Sequence, residues 1–228
     1  MSVQHEFSRF ANHYGSHNSI QQKVAAELVA FFRVQQPKNI LDLGCGNGLV
    51  YQNIDWDIEH FVGVDFAKEM LQSHPKDQSV TCLLGDFNNK ELFKQLQEYK
   101  FDRIVSASAL QWAKELHVTL EHLAQFDTPI ALAIFTSGTF KTLYETAHLP
   151  PILQSSDAVV KTAQQYFTCK HSIKQYELKF PTSQALFQYI KRSGVSGGRN
   201  VLNYKETKRL MNTYPNDYLE FEVVFIWT

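Results

Sequence analysis

Short apolar runs alternate with segments of helical periodicity along the first part of the chain. The apolar runs predict strands, which are placed near residues 39–43, 60–65, 79–84, 101–106 and 129–135. Helices are predicted between these strands, near residues 48–54, 67–73, 89–99 and 111–125. Such alternation is typical of a parallel sheet whose crossover helices cover both faces. We therefore predict a doubly wound α/β fold.

The segment before the first strand is predicted to be helical. Ala25, Leu28, Val29 and Phe32 follow the i, i+3, i+4, i+7 spacing of one helix face. We interpret residues 1–36 as a helical flap, although core packing explains its aromatic residues equally well.

The C-terminal part of the chain changes the pattern. Apolar-rich runs at 173–180 and 218–227, separated by a predicted helix at 183–193, indicate a final antiparallel strand pair at the edge of the sheet. Residues 138–171 include two consecutive prolines and interrupt the alternation, so we interpret them as an inserted cap over the ligand edge. The whole chain, 1–228, is expected to form a single domain.

Composition narrows the class of protein. A hydrophobic fraction of 44% with 17 Phe in 228 residues is ample for one core. Three widely spaced Cys predict neither a disulfide framework nor a zinc site, and the nine His have no metal-ligand spacing, so no metal is assigned. No apolar run reaches the roughly 18 residues of a membrane span, and the N-terminus lacks a signal-peptide core. We expect a cytoplasmic, reduced protein.

Charge is unevenly distributed along the chain. Residues 1–149 carry 12 basic and 17 acidic side chains, a net charge of −5, whereas residues 161–209 carry ten basic and two acidic side chains, a net charge of +8. The basic segment is either a solvated face or a docking surface for an acidic partner. A pI near 6.8 disfavours a nucleic acid as that partner.

A glycine-rich turn follows the first predicted strand. Gly44, Gly46 and Gly48 form a G-x-G-x-G pattern, and glycine allows the backbone to approach a ligand where a Cβ would collide. The dinucleotide fingerprint would need another Gly where this chain has Leu49, so no diphosphate is expected. Asp65 ends the second predicted strand, where a carboxylate suits the hydroxyls of a ribose.

This pattern resembles motif I of the class I S-adenosylmethionine (SAM) methyltransferases. In such a site Asp42 would orient the loop or contact the amino group of the cofactor through water, or it would cap the amides of the loop. Asp65 would bind the ribose, cap the next helix, or do both. Cys45, inside the loop, is interpreted as a tolerated small residue and not as a nucleophile.

Residues after the second and third strands are candidates for the adenosine end. Gly85, Asp86 and Phe87 follow the third strand, where Asp86 can accept from the adenine amino group and Phe87 can pack on the ring. Phe66 and Met70 would flank the adenosine, or they would belong to the ordinary core.

Residues after the fourth strand are candidates for the methionine end of the cofactor or for the acceptor. Ser106 and Gln111 could make polar contacts there, and Trp112 could line the acceptor pocket or be structural. Near the N-terminus, Tyr14 belongs to an aromatic cluster that could close over the cofactor.

A more specific resemblance covers essentially the whole chain. The segments that carry it, in order, are FSRFANHYGSHNSIQQKVAAEL, ILDLGCGNG, GVDFAKEML, LLGDFNN, FDRIVSASALQW, IFTSGTFKTLYE and YIKRSGVSGGR. They resemble the malonyl-acyl-carrier-protein O-methyltransferases of biotin synthesis, whose sheet is a Rossmann-like class I methyltransferase sheet. The N-terminal pattern, ALQW at 109–112 and the stretch after the fifth strand are its specific parts.

The resemblance implies methyl transfer from SAM to the free carboxylate of a malonyl group on acyl carrier protein. It also implies that cationic or hydrogen-bonding side chains hold this carboxylate, and the candidates are Tyr14, Gln111, Lys191, Arg192 and Arg199. Acyl carrier proteins are acidic, which would give the basic segment a partner. We expect a monomer.

Other functions stay open from the sequence. A methyltransferase for free carboxylic acids or for carbon acceptors shares every cofactor motif, and a non-catalytic SAM-binding module would share them too. An RNA methyltransferase is less favoured because no aromatic-basic surface is legible. A nicotinamide oxidoreductase is the least favoured, because the glycine spacing differs.

Overall fold

A mixed sheet lies at the centre of the computed structural model, which describes residues 19–192 and 204–228. Within these ranges the strands are β1 (Asn39–Leu43), β2 (His60–Asp65), β3 (Val80–Leu84), β4 (Arg103–Ala107), β5 (Ile130–Phe135), β6 (Lys170–Lys179) and β7 (Tyr218–Trp227). Their order across the sheet is β3-β2-β1-β4-β5-β7-β6. Strands β1 to β5 are parallel, and β7 runs antiparallel to both β5 and β6.

Helices connect and cover these strands. They are α1 (Ser19–Ala30), α2 (Leu49–Gln52), α3 (Lys68–Ser73), α4 (Lys90–Leu96), α5 (Leu116–Ala124), α6 (Lys141–Ala147), α7 (Ser156–Gln164), α8 (Ser183–Arg192) and α9 (Tyr204–Thr213), with a 3₁₀ turn at Leu110–Trp112. The predicted α/β fold class, with its terminal antiparallel strand pair, is confirmed. The predicted helix at 111–125 is in fact this 3₁₀ turn followed by α5.

Two hydrophobic clusters, one on each face, hold the sheet between its helices. Ile40 and Leu41 are adjacent on β1 and both fully buried, yet they belong to different clusters because successive side chains on a strand point to opposite faces. Val24 of α1 lies in the first cluster, while Leu120 of α5 and Val159 of α7 lie in the second. Burial on both faces explains why the parallel strands read as continuous apolar runs.

Part of the predicted cap lies on a face of the sheet. Val159, Val160 and Ala163 are buried, and α7 packs against α5 and β7. This apolar stripe of α7 requires the sheet as its partner, so residues 156–164 form a covering helix. A cap function for residues 138–155 remains a prediction. No helix in the described part of the chain is long and apolar enough to cross a bilayer.

Candidate active site

A solvent-connected cleft opens at the carboxyl ends of β1, β2 and β4, and its empty space of about 680 Å³ includes open solvent. Ligands of doubly wound sheets bind at this edge. Its described lining consists of Gln21, Ala25, Asp42, Gly44, Cys45, Gly46, Asn47, Leu49, Val50, Asp65, Phe66, Met70, Phe87, Ala107, Ser108, Ala109 and Trp112. The glycine loop, the end of β2 and the end of β4, all predicted to contribute, therefore meet in one cavity.

The glycine loop folds sharply over the end of β2. The backbone N–H groups of Gly44 and Cys45 both donate to the carbonyl of Val64, at 2.8 and 2.9 Å. Gly44 has φ +79°, and a Cβ on it would lie 2.3 Å from the Cβ of Ala109. A Cβ on Gly46 would meet no atom of the described residues within 4 Å. The loop therefore needs glycine at position 44 for its own fold, while glycine at position 46 leaves open space in the cleft.

Asp65 fixes this loop to the next helix. One oxygen of its buried carboxylate accepts from the N–H of Gly46 at 2.9 Å, and the other accepts from the N–H of Ala67 at 2.8 Å. Burial raises the pKa of Asp65, and these backbone donors oppose that effect. The predicted helix-capping role is wrong, because Ala67 is the N-cap of α3 and no side chain caps that helix. Each oxygen keeps lone-pair capacity for a ribose hydroxyl, and the ribose contact remains a prediction.

Asp42 is fully buried at the end of β1, and neither of its carboxylate oxygens has a hydrogen-bond partner among the described residues. The alternative role, capping the loop amides, is therefore wrong. Burial, followed by the nearby charge of Asp65, raises the pKa of Asp42 to about 8. A buried carboxylate without partners is costly, so this end of the cleft fits a cationic ligand. The ammonium and sulfonium groups of SAM meet that requirement.

Apolar side chains line the cleft on the β2 and β3 side. Phe87 and Met70 are almost fully buried, and Phe66 is half-buried beside them. All three were predicted to contact the adenosine, and all three line the cleft. The thiol of Cys45 is buried against Gly63, and burial raises its pKa well above the ordinary value, which does not favour a nucleophile.

Asp86 and Gly85 do not line the cleft. One oxygen of Asp86 accepts from the backbone N–H and the side-chain amide of Asn88, at 2.9 and 2.7 Å, so it stabilises the turn after β3. A Cβ on Gly85 would lie 2.7 Å from a terminal methyl group of Leu92, so this glycine packs closely against the side chain of Leu92. The adenine contact of Asp86 remains a prediction for its other oxygen.

The predicted cofactor or acceptor contact of Ser106, at the end of β4, is wrong. The buried hydroxyl of Ser106 donates to the carbonyl of Leu43 at 2.6 Å, which ties β4 to β1, and Ser106 does not line the cleft. Ser108 lines it instead, with φ +60°, and its Oγ has no hydrogen-bond partner within the described ranges. The amide nitrogen of Gln111 donates to the carbonyl of Ser108 at 2.7 Å, so Gln111 stabilises this turn. Trp112 lines the cleft, as predicted.

Gln21 and Ser108 line the cleft although no sequence motif indicated them. Gln21 lies on the buried face of α1 among Ile20, Val24 and Ala25. A glutamine at a buried position of an apolar helix face was the available signal. Ser108 gave no signal, because its position depends on a left-handed backbone at the end of β4.

The predicted acceptor-binding residues are only partly within the described structure. Tyr14 and Arg199 lie outside the described residues. Lys191 and Arg192 end α8, and only their backbone is described. Gln111 lies beside the cleft but does not line it. Within residues 19–192 and 204–228, no cluster of His, Cys, Asp and Glu could hold a metal ion.

Known proteins resemble this chain in sequence and in fold. A family model described as a methyltransferase domain matches residues 41–129. The malonyl-[acyl-carrier protein] O-methyltransferase of Priestia megaterium is 26% identical over 251 residues, which cover 92% of this chain and 89% of that protein. The enzyme of the same name from Haemophilus influenzae is 26% identical over 230 residues, with 95% and 85% covered.

Among solved structures, a chain of the complex between the Haloferax volcanii Trm112 methyltransferase activator and a methyltransferase has a TM-score of 0.62 at 15% identity. The alignment covers all of this chain and 97% of that one, and it supports the fold alone. The sheet order, the glycine loop and the unpaired carboxylate of Asp42 fit the same class. Residues 41–129 of the chain therefore match a methyltransferase domain, and its fold is that of a solved methyltransferase.

Proposed function

We propose that this enzyme transfers the methyl group of SAM to the free carboxylate of malonyl-acyl carrier protein. The observation that carries the proposal is the similarity, over 92% of the chain, to a protein named for that activity. The product would be the malonyl methyl ester with which pimeloyl and biotin synthesis begins, as the resemblance implies. A cytoplasmic location and a monomeric state belong to the same proposal.

The chemistry of the cleft is compatible with a carboxylate acceptor. SAM supplies an electrophilic methyl group when it is bound. A carboxylate is ionised at neutral pH and needs no general base. In the described lining there is no Lys, Arg or His, and its acidic residues are Asp42 and Asp65. The residues of the chain therefore contribute orientation and exclusion of water more than proton transfer.

The acceptor carboxylate should lie away from the two acidic residues of the cleft, because like charges repel. The buried hydroxyl of Ser108, at the end of β4, is a hydrogen-bond donor without a partner among the described residues. Ser108 therefore joins Tyr14, Gln111, Lys191, Arg192 and Arg199 as a candidate for the acceptor side. This assignment rests on the proposed function.

A carrier protein needs a docking surface. Lys208 and Arg209 are exposed on α9, opposite the buried Leu210, within the basic segment 161–209. Acyl carrier proteins are acidic, and charged rims of this kind raise association rates. We place the carrier protein on this surface as part of the proposal.

The direct test uses methyl-labelled SAM with malonyl-acyl carrier protein, malonyl-CoA or free malonate as the acceptor. We expect base-labile label on the carrier-bound malonyl group. Label on free malonate alone would replace the proposal with a free-acid methyltransferase. SAM binding with no label on any acceptor would indicate a different acceptor or a binding module.

A further inference from the structure

Gln21 brings an unsatisfied polar group into the cofactor cleft. Its side chain is only 9% exposed, it lines the cleft, and its Oε1 has no hydrogen-bond partner among the described residues. Buried amide groups are normally hydrogen-bonded, so an unpaired one in a ligand cavity indicates that the ligand supplies the partner.

The order of the strands shows which end of the cofactor faces Gln21. Asp65, the predicted ribose ligand, ends β2, and Phe87 follows β3 at the outer end of the cleft. Helix α1 instead packs against α2, β4 and β5, on the opposite side of β1. An adenosine that occupies the β2 and β3 side therefore directs its other end toward β4 and α1. This other end is the methionine moiety.

The unpaired hydrogen-bond acceptors of the cleft decide which group of the methionine moiety fits. Gln21 Oε1 and both oxygens of Asp42 are acceptors that receive no hydrogen bond from the part of the chain that the structure describes. The α-ammonium group offers three N–H donors and a positive charge, whereas the α-carboxylate offers only acceptors. Two acceptor side chains from separate elements, one of them a carboxylate, match the ammonium group.

We propose that Gln21 is a cofactor-binding residue, whose amide oxygen accepts a hydrogen bond from the α-ammonium group of SAM beside Asp42. The contact joins α1 to the cofactor. The proposal depends on SAM as the cofactor but not on the identity of the acceptor, so it would survive a failure of the malonyl assignment.

The test compares ligands that differ in this group. Calorimetric affinities are measured for S-adenosylhomocysteine, which has the ammonium, and for methylthioadenosine, which lacks the amino-acid moiety. Gln21→Met should weaken S-adenosylhomocysteine binding roughly tenfold or more, because a hydrogen bond to a charged group is lost. Binding of methylthioadenosine should stay within about twofold. Gln22→Met is the matched control, because Gln22 is the exposed neighbour on α1, and both affinities should be unchanged.

Two further measurements distinguish the proposed hydrogen bond of Gln21 from an effect on folding and from a contact with the α-carboxylate of SAM. Gln21→Glu keeps an acceptor oxygen and should retain S-adenosylhomocysteine binding. Decarboxylated SAM keeps the amine and should also lose affinity for the Gln21→Met variant. Equal loss of S-adenosylhomocysteine and methylthioadenosine, unchanged affinity for both, or unchanged binding of decarboxylated SAM would overturn the proposal.

Discussion

Asp42 and Asp65 both lie near the carboxyl ends of neighbouring parallel strands, but their surroundings give them different roles. Asp65 receives two backbone N–H donors, which favour its ionised form. Asp42 receives none, and its pKa is raised to about 8. Asp65 therefore organises the loop in the free protein, whereas Asp42 lacks a partner until a cation binds.

Replacing Asp42 should separate stability from binding. Asp42→Asn removes a buried ionisable group, so we expect a higher melting temperature for the ligand-free protein at pH 8. We also expect SAM affinity to fall about tenfold or more, because a charge-assisted contact is lost. Thermal melting with and without SAM measures both effects. Asp157→Asn, at an exposed position on α7, is the control. A lower melting temperature together with unchanged SAM affinity would contradict this role.

The raised pKa of Asp42 should also make the stability of the ligand-free protein depend on pH. The pKa of Asp42 rises from 3.8 to about 8 on folding, so between these values the folded state holds a proton that the unfolded state has released. Stability of the ligand-free protein therefore falls through this window as pH rises, and levels off above it. Urea unfolding from pH 5 to pH 9 should show this slope in the natural protein relative to Asp42→Asn. Parallel curves for the two proteins would show that Asp42 does not titrate in this way.

At the scale of elements, the apolar runs predicted strands β1 to β5 almost to the residue. Strands β1, β2, β4 and β5 are largely buried, whereas β3 is apolar but only partly buried. The cap at 138–171 was harder to place, since the stripe of α7 is compatible with a face of the sheet or with an insertion.

At the site, the glycines and Asp65 could be predicted from a local turn motif. Gln21 and Ser108 could not, because the cleft brings them together from α1 and the end of β4.

The glycine loop allows a contrast between two substitutions. Gly44→Ala should lower the unfolding free energy by about 3 kcal/mol, because it combines a left-handed backbone with overpacking against Ala109. Gly46→Ala is also strained, at φ +54°, but its Cβ meets no atom of the described residues within 4 Å, so it should cost less stability yet still weaken SAM binding by occupying the cleft. Denaturant unfolding and calorimetry on both variants measure the contrast. Equal destabilisation would show that close approach to Ala109 is not the constraint at position 44.

At the scale of the whole molecule, the acidic residues 1–149 and the basic segment 161–209 suit different ligands. The cleft contains two carboxylates and accepts a cationic cofactor, while exposed basic residues lie on α9. The comparatively neutral total charge therefore conceals two local fields of opposite sign. Each field suits a different ligand of the proposed reaction.

Charge reversal on the basic segment should affect only the carrier protein. Replacing Lys205, Lys208 and Arg209 with Glu should lower kcat/KM for carrier-bound substrate by about tenfold at low salt, through slower association. The affinity for SAM should not change. Steady-state kinetics at two salt concentrations, with calorimetry for SAM, provide the measurement.

The matched control reverses three exposed lysines elsewhere, Lys76, Lys90 and Lys100, for the same change in net charge. We expect little effect of this control on carrier-bound turnover. If both triple variants lose the same activity, net charge and not a docking surface is responsible.

The contacts of α1 have a consequence for how the chain is made. Glu27 of α1 accepts a hydrogen bond from the hydroxyl of Tyr176 at 2.8 Å and forms an ion pair with Lys174 at 2.7 Å, both on β6. The apolar face of α1 packs on β4 and β5. This helix therefore emerges from the ribosome before β4, β5 and β6. Its apolar face is unpaired until those strands have been synthesised. Because Gln21 lies on that helix, the cofactor cleft is completed late in translation, even though the glycine loop is translated early.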